Sequence, residues 1–222
     1  MVRSTAWRAL GAVAAFSVVA TALIGFAHMP AGRPLLRLLG HASKAVGATC
    51  PLGFDRATTP TERRARRRGF AQRHAGALDA AQRPARGFSL DLTTKDEVVA
   101  WAATNHAVCK TGKVVELDCS TSDDGSLFTF DENAKLVELV SVRRMKTADA
   151  ASEVFTADAK SLDARVGEAS RLEGDAAPSV LGHGLLRQAS AEYRFRDYYA
   201  LLRATNMGDG FVITEEYRSL LR

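Results

Sequence analysis

Three groups of residues in this chain have types and spacings that invite chemistry. TERRARRRGFAQRH, residues 61–74, sets Arg63, Arg64, Arg66, Arg67 and Arg68 almost side by side. Guanidinium groups at that density repel one another and favour an anionic partner, because each donates several hydrogen bonds in a fixed fork. Cys109 and Cys119 flank Gly112 in HAVCKTGKVVELDC, a natural disulfide pair if the domain lies in an oxidising compartment. His183, in the loop GHG, and the carboxylates of Glu215 and Glu216 are the candidates for general acid and base.

Each group has a plainer reading. Glu215 and Glu216 are neighbours on a strand, so they point to opposite faces and are not a paired acid–base site. The five histidines, at 28, 41, 74, 106 and 183, are scattered, and only His106 lies near the cysteines, so no zinc site or other metal site is expected. No phosphate-loop, nucleophile-elbow, zincin or calcium-loop spacing occurs, and no cofactor is expected. A two-residue turn at Thr111-Gly112 would pair Cys109 with Val114, so the disulfide needs a longer loop or a bulge. The arginines could simply keep a linker soluble; nucleic acid is not expected, since Phe70 is the one aromatic among them and offers no stacking series.

The surrounding elements decide where these groups stand. Charge is unevenly spread: residues 1–55 carry a net +4, residues 56–86 a net +7 and residues 87–222 a net −6. The overall +5 therefore describes an arm rather than a basic binding face on a domain. Ala9–Ala27, ALGAVAAFSVVATALIGFA, holds no charge and follows Arg3 and Arg8. As a helix it nearly spans a hydrocarbon core of roughly 30 Å, which fits an uncleaved membrane anchor with its N-terminus inside. The alternative is a secretory signal cut after Ala27, where Gly25 and Ala27 supply the small residues. Either way the bulk of the chain is expected on the outer side, in the periplasm or its equivalent.

Residues 28–87 read as a basic arm. Leu35, Leu36, Leu38, Leu39, Ala42 and Val46 fall near helical spacing, fit for a membrane surface or for packing on the domain. Thr59, Pro60 and Glu62 form a helix start with a capping box, and the spacing predicts helix over residues 60–82, weakened at Gly69 and Gly76. On that helix Arg63, Arg66 and Arg67 would share a face with Arg64 and Arg68 beside it. Beside a membrane such a face attracts anionic lipid or another envelope polyanion, at about 1 kcal/mol per basic residue.

Residues 88–222 read as an acidic α+β domain. Thr94 and Glu97 form a second capping box. Ala151, Val154, Phe155, Leu162 and Val166 make an apolar stripe on a helix over 147–166. Ala191, Tyr193 and Phe195 alternate with charged residues, and Phe211, Ile213 and Tyr217 share one parity. The expected architecture is an antiparallel sheet of about six strands with two or more helices on one face, in the order helix, strands, helix, strands. With no clustered nucleophile, the sequence favours a membrane-anchored, non-catalytic module that binds or scaffolds a protein partner. A small envelope hydrolase using His183 and an acid, and a polyanion binder acting through the arginines, are the alternatives.

Overall fold

Alternation writes the main sheet. In a computed structural model, which describes residues 59–111, 115–122 and 124–221, eight antiparallel strands lie in the order β3-β4-β5-β6-β10-β9-β8-β7. They are β3 Val108–Thr111, β4 Glu116–Ser120, β5 Asp124–Phe130, β6 Leu136–Met145, β7 Arg171–Glu173, β8 Gln188–Arg194, β9 Tyr198–Asn206 and β10 Phe211–Ser219. A small hairpin of β1 Pro84–Ala85 and β2 Phe88–Ser89 stands apart. The helices are α1 Pro60–His74, α2 Lys95–Thr104, α3 Ala148–Val166 and α4 Pro178–Leu181.

The chain is α+β, and its sheet is larger than the six strands expected. β7 is three exposed residues, too short to show a pattern. β9 opens with Tyr198, Tyr199 and Ala200 buried in succession, so its start shows no alternation to read. The element order repeats: α2 and the meander β3 to β6, then α3 and β7 to β10 with α4 inserted. The halves join where β10 pairs with β6, Glu215 opposite Ser141 and Tyr217 opposite Leu139.

One parity of the sheet faces α2 and α3. It carries Phe128, Leu139, Tyr193, Ala200, Leu202, Ile213 and Tyr217, all buried. Helix α3 lays Ala151, Phe155, Leu162 and Val166 on that face, as its stripe predicts, and Val154 is half-buried beside them. Thr147 caps its first turn and Gly167, at φ 100°, ends it. Burying Phe155 contributes about 1.5–3 kcal/mol. Both predicted capping boxes are present, at Thr59/Glu62 and Thr94/Glu97.

The other parity is polar, and α1 lies against it. Phe70 of α1 packs edge-on against Tyr199, and the guanidinium of Arg218 sits 4.3 Å from the Phe70 ring centre. Tyr199 and Arg218 are register partners facing away from α3. The chain then passes round the end of the sheet. Gly76 donates to the Phe195 carbonyl at 3.0 Å, and a Cβ there would lie 2.1 Å from the Arg194 carbonyl oxygen, so only glycine fits. Asp197 holds this strap from the Ala80 N–H at 2.8 Å and from Arg83 at 2.9 Å. The strap delivers β1 and β2 to the opposite face, where the Tyr198 hydroxyl donates to the Pro84 carbonyl at 2.7 Å.

Thr58–Arg222 therefore forms one compact unit that takes in α1 and the strap, residues which composition alone assigns to the arm. The apolar segment Ala9–Ala27 and the Leu35–Val46 segment lie outside the described residues. Among the described residues no helix is long and apolar enough to cross a membrane.

Candidate functional site

Where the helices α2 and α3 stand apart over the sheet, a cleft of about 460 Å³ opens. Its builders come from four elements. Helix α3 contributes Asp158, Ser161, Leu162 and Arg165, spaced i, i+3, i+4, i+7 on one face. Helix α2 contributes Trp101, and Asn105 at its C-cap follows one turn on. The sheet supplies the floor, with Ser126 and Phe128 from β5, Leu139 and Arg143 from β6, and Glu215 and Tyr217 from β10. The β1–β2 hairpin closes one side with Arg86, Gly87 and Phe88.

Register sorts the floor into an apolar row and a polar row. Phe128, Leu139 and Tyr217 lie side by side across three strands, and Ser126, Ser141 and Glu215 form the next row. On the apolar side Phe88, Trp101 and Phe128 pack edge-to-face, with ring centres 5.3, 5.4 and 5.9 Å apart.

On the polar side Glu215 is buried, with a side chain 2% exposed. Such a carboxylate demands charged and hydrogen-bonding partners. Arg143 donates to its Oε1 at 2.6 Å, and the Tyr217 hydroxyl donates to Oε2 at 2.5 Å. Arg143 also bonds Asp158 of α3, tying helix to sheet. Burial opposes the charge of Arg143, but Glu215 and Asp158 outweigh it and raise its pKa above the ordinary guanidinium value. Burial, reinforced by the neighbouring Glu215 charge, likewise raises the Tyr217 hydroxyl, which stays protonated as a donor. The Nε of Arg143 is buried without a hydrogen-bond partner.

Arg86 reaches the same carboxylate from the hairpin tip. Its Nη1 donates to the Ser141 hydroxyl at 2.6 Å and its Nε lies 3.6 Å from Glu215, with Asp124 3.8 Å away. Arg86 and Gly87 have φ of 51° and 60°, the positive pair that a two-residue type I′ turn requires. Asparagine or glycine usually takes the first of these places; an arginine there is strained backbone held beside a charged site. Arg165 lines the cleft half-exposed and has no carboxylate partner among the described residues.

The sequence candidates fall elsewhere. His183 is exposed in the turn after α4, its Nδ1 against the Ser179 carbonyl, and it does not line the cleft. Glu215 and Glu216 do occupy opposite faces; Glu216 pairs with Arg218 beneath α1. Cys109 and Cys119 are direct partners in the β3–β4 ladder, with Cα atoms 4.0 Å apart and sulfurs at disulfide distance. The ladder register pairs Thr111 with Leu117, so the pairing of Cys109 with Val114 that a two-residue turn would impose does not occur, and the cysteines meet as the disulfide expectation requires.

The arginines divide. Arg63, Arg67, Phe70 and His74 are half-buried at helical spacing and face the sheet, while Arg64, Arg66 and Arg68 are exposed. Arg66 therefore does not share the face of Arg63 and Arg67; at 3.6 residues per turn it falls to the flank of that stripe. Arg64 pairs with Glu132 at 2.5 Å. Burial pushes the carboxyl of Glu138 up, opposed by Arg218 at 2.9 Å and by Arg67. The His74 ring stacks on Phe70 at 4.2 Å; burial, then the Arg194 charge, lowers its pKa.

Sequence reasoning missed Arg86, Arg143, Asp158 and Arg165. One signal was present: Phe211, Ile213, Glu215 and Tyr217 share a parity, and a lone carboxylate on an apolar parity calls for a buried cation nearby. Among the described residues no group of three or more His, Cys, Asp or Glu side chains is placed to hold a metal ion. No known protein family matches the chain, and no curated protein or solved structure shows significant similarity to it.

Proposed function

We propose that the chain is a membrane-anchored, non-catalytic binding module of the cell envelope whose recognition site is the cleft between α2 and α3. The uncharged Ala9–Ala27 segment behind Arg3 and Arg8 motivates the anchor and the extracytoplasmic placement of the domain. One observation carries the binding role: the cleft's carboxylates are already engaged. Glu215 is held by Arg143 and Tyr217, and Asp158 by Arg143. Among the described residues no histidine or cysteine lines the cleft as a nucleophile or base, and Glu215, its side chain 2% exposed, is turned to Arg143 and Tyr217. An apolar wall beside a few fixed polar groups is the composition of a ligand pocket, and the volume lies in the usual ligand range of about 300–1,000 Å³. A protein partner remains compatible if it inserts one side chain or a terminus.

The test pairs a turnover screen with a binding screen on the full-length protein. Chromogenic esters, phosphoesters, glycosides and amides should give no rate. Ligand-observed NMR with a fragment library should give hits that Ser161→Trp abolishes, since Ser161 is exposed and lines the cleft. A hydrolytic rate that survives purification and falls with Glu215→Gln would overturn the binding reading in favour of an envelope hydrolase.

A second reading concerns α1. Arg64, Arg66, Arg68 and Arg73 remain exposed. We propose that they meet anionic lipid headgroups when the domain lies near the membrane. Cosedimentation with phosphatidylglycerol vesicles should weaken steeply between low and physiological salt, where the screening length falls to about 8 Å. Equal binding to neutral vesicles would remove this reading.

A further inference from the structure

Resting on the reading of the cleft as a binding site, we infer that its ligand is a small monoanionic amphiphile, a carboxylate on an aromatic or aliphatic body. The charge balance of the walls points there. Three arginines line the cleft, Arg86, Arg143 and Arg165, against two carboxylates, Asp158 and Glu215. Arg143 is spent on both carboxylates. Arg86 is tied to Ser141, lies within 3.6 Å of Glu215 and has Asp124 3.8 Å away. Arg165 alone has no acidic partner among the described residues, although it stands on the cleft-facing stripe of α3.

An unpaired guanidinium facing a partly enclosed space is a charge-assisted donor for a planar oxyanion. The count sets the ligand's charge at one. With one unpaired guanidinium, the second negative charge of a dianion such as a phosphate monoester would find no free cation in a cleft that already holds Glu215 and Asp158. A cation would meet three arginines around two carboxylates that Arg143 already bonds. The apolar end of the ligand meets Phe88, Trp101 and Phe128, whose edge-to-face packing leaves ring surface toward the cleft, with Leu139 and Leu162. Arg165 on α3 and Trp101 on α2 line the cleft from its two helices, which orients the ligand with its head to Arg165 and its tail to Trp101.

Equilibrium dialysis on the full-length protein uses three water-soluble probes with one body: 4-phenylbutyrate, 4-phenylbutanol and 4-phenylbutylamine. The carboxylate should bind one per chain, the alcohol more weakly, and the amine weakest. Arg165→Gln, on a half-exposed helix position, should lower carboxylate affinity about tenfold or more while leaving alcohol affinity and the far-ultraviolet circular dichroism unchanged. Amine binding as tight as carboxylate binding, or an Arg165→Gln variant that keeps full carboxylate affinity, overturns the charge assignment while leaving the cleft a binding site. Binding of none of the probes, or binding that survives Ser161→Trp, overturns both this inference and the reading beneath it.

Discussion

The two faces of the eight-stranded sheet are made by the same strands and held by different forces. In β6, Leu139, Ser141 and Arg143 point toward the cleft while Glu138, Val140 and Val142 point the other way; in β10, Glu215 and Glu216 part in the same manner. On the first face, two helices cover an apolar layer, and the buried carboxylate Glu215 is bonded to Arg143 and Tyr217. On the second, a helix with no fully buried residue rests on a tyrosine, an arginine and a stripe of acids. Burial is nondirectional and scales with area, whereas exposed ion pairs are screened and contribute about 0–1 kcal/mol each. The first face should therefore set the stability of the fold, and the second should set only the position of α1.

That contrast breaks most visibly at Phe155. Phe155→Ala should cost about 3–5 kcal/mol in chemical denaturation, because the side chain is buried between α3 and the sheet. A cost below about 1 kcal/mol would mean that α3 is not the main cover of this face. Next is Glu215→Gln, which keeps the shape and removes the charge that compensates Arg143. A loss of about 1.5–3 kcal/mol is expected, with the midpoint shifted and the denaturant slope unchanged. Gain of stability would show that the ionic floor is held for binding at the expense of folding.

The outer face answers to gentler changes. Phe70→Ala removes the ring between Tyr199 and the Arg218 guanidinium and should cost about 0.5–1.5 kcal/mol, read as faster amide exchange confined to α1. Uniform loss of protection over the sheet would mean that α1 belongs to the cooperative core. The His74 ring has its pKa lowered below the ordinary 6.5, so the docked helix binds a proton less readily than the released one. The sign follows: its contribution is present above pH 6.5 and is lost as pH falls through the range beneath it. The protection of α1 amides, measured against their intrinsic exchange rate at each pH, should therefore fall on acidification, and His74→Phe should abolish that change; Glu138, whose raised pKa acts in the opposite sense, is common to both proteins. Smallest of all, Arg64→Ala should alter stability by less than about 1 kcal/mol, since its partner Glu132 is half exposed.

What could be read in the sequence was local. The capping boxes at Thr59/Glu62 and Thr94/Glu97 and the stripe of α3 need only four to sixteen consecutive residues, and all three stand as expected. Alternation in β8 and β10 placed Tyr193, Ile213 and Tyr217 inward for the same reason. Failures came where position depends on pairing between distant segments. The β3–β4 loop length could not be read from Thr111-Gly112 alone. The cleft unites Arg86, Arg143 and Glu215 only through the strap and the β6–β10 register, neither of which leaves a trace in any short window. For the arginines, the missing fact was an acidic sheet face near enough to hold Arg63 and Arg67 inward.

The strap from Gly76 to Arg83 gives the molecule a load path. Tension applied at Thr59 enters α1, whose contacts are few and peel one after another. It next meets the bonds of Gly76 to the Phe195 carbonyl at 3.0 Å and of the Arg196 N–H to the Leu78 carbonyl at 2.7 Å, and then the clamp of Asp197 on Ala80 and Arg83 at 2.8 and 2.9 Å. Only after that clamp gives way does the pull reach Pro84 and the hairpin that carries Arg86 to the cleft. A domain hung by this end would then shed α1 as a fuse while the cleft keeps its shape. Optical-tweezer extension between residue 59 and the C-terminus should show an early, low-force step of about the length of α1, and Asp197→Ala should merge the later steps.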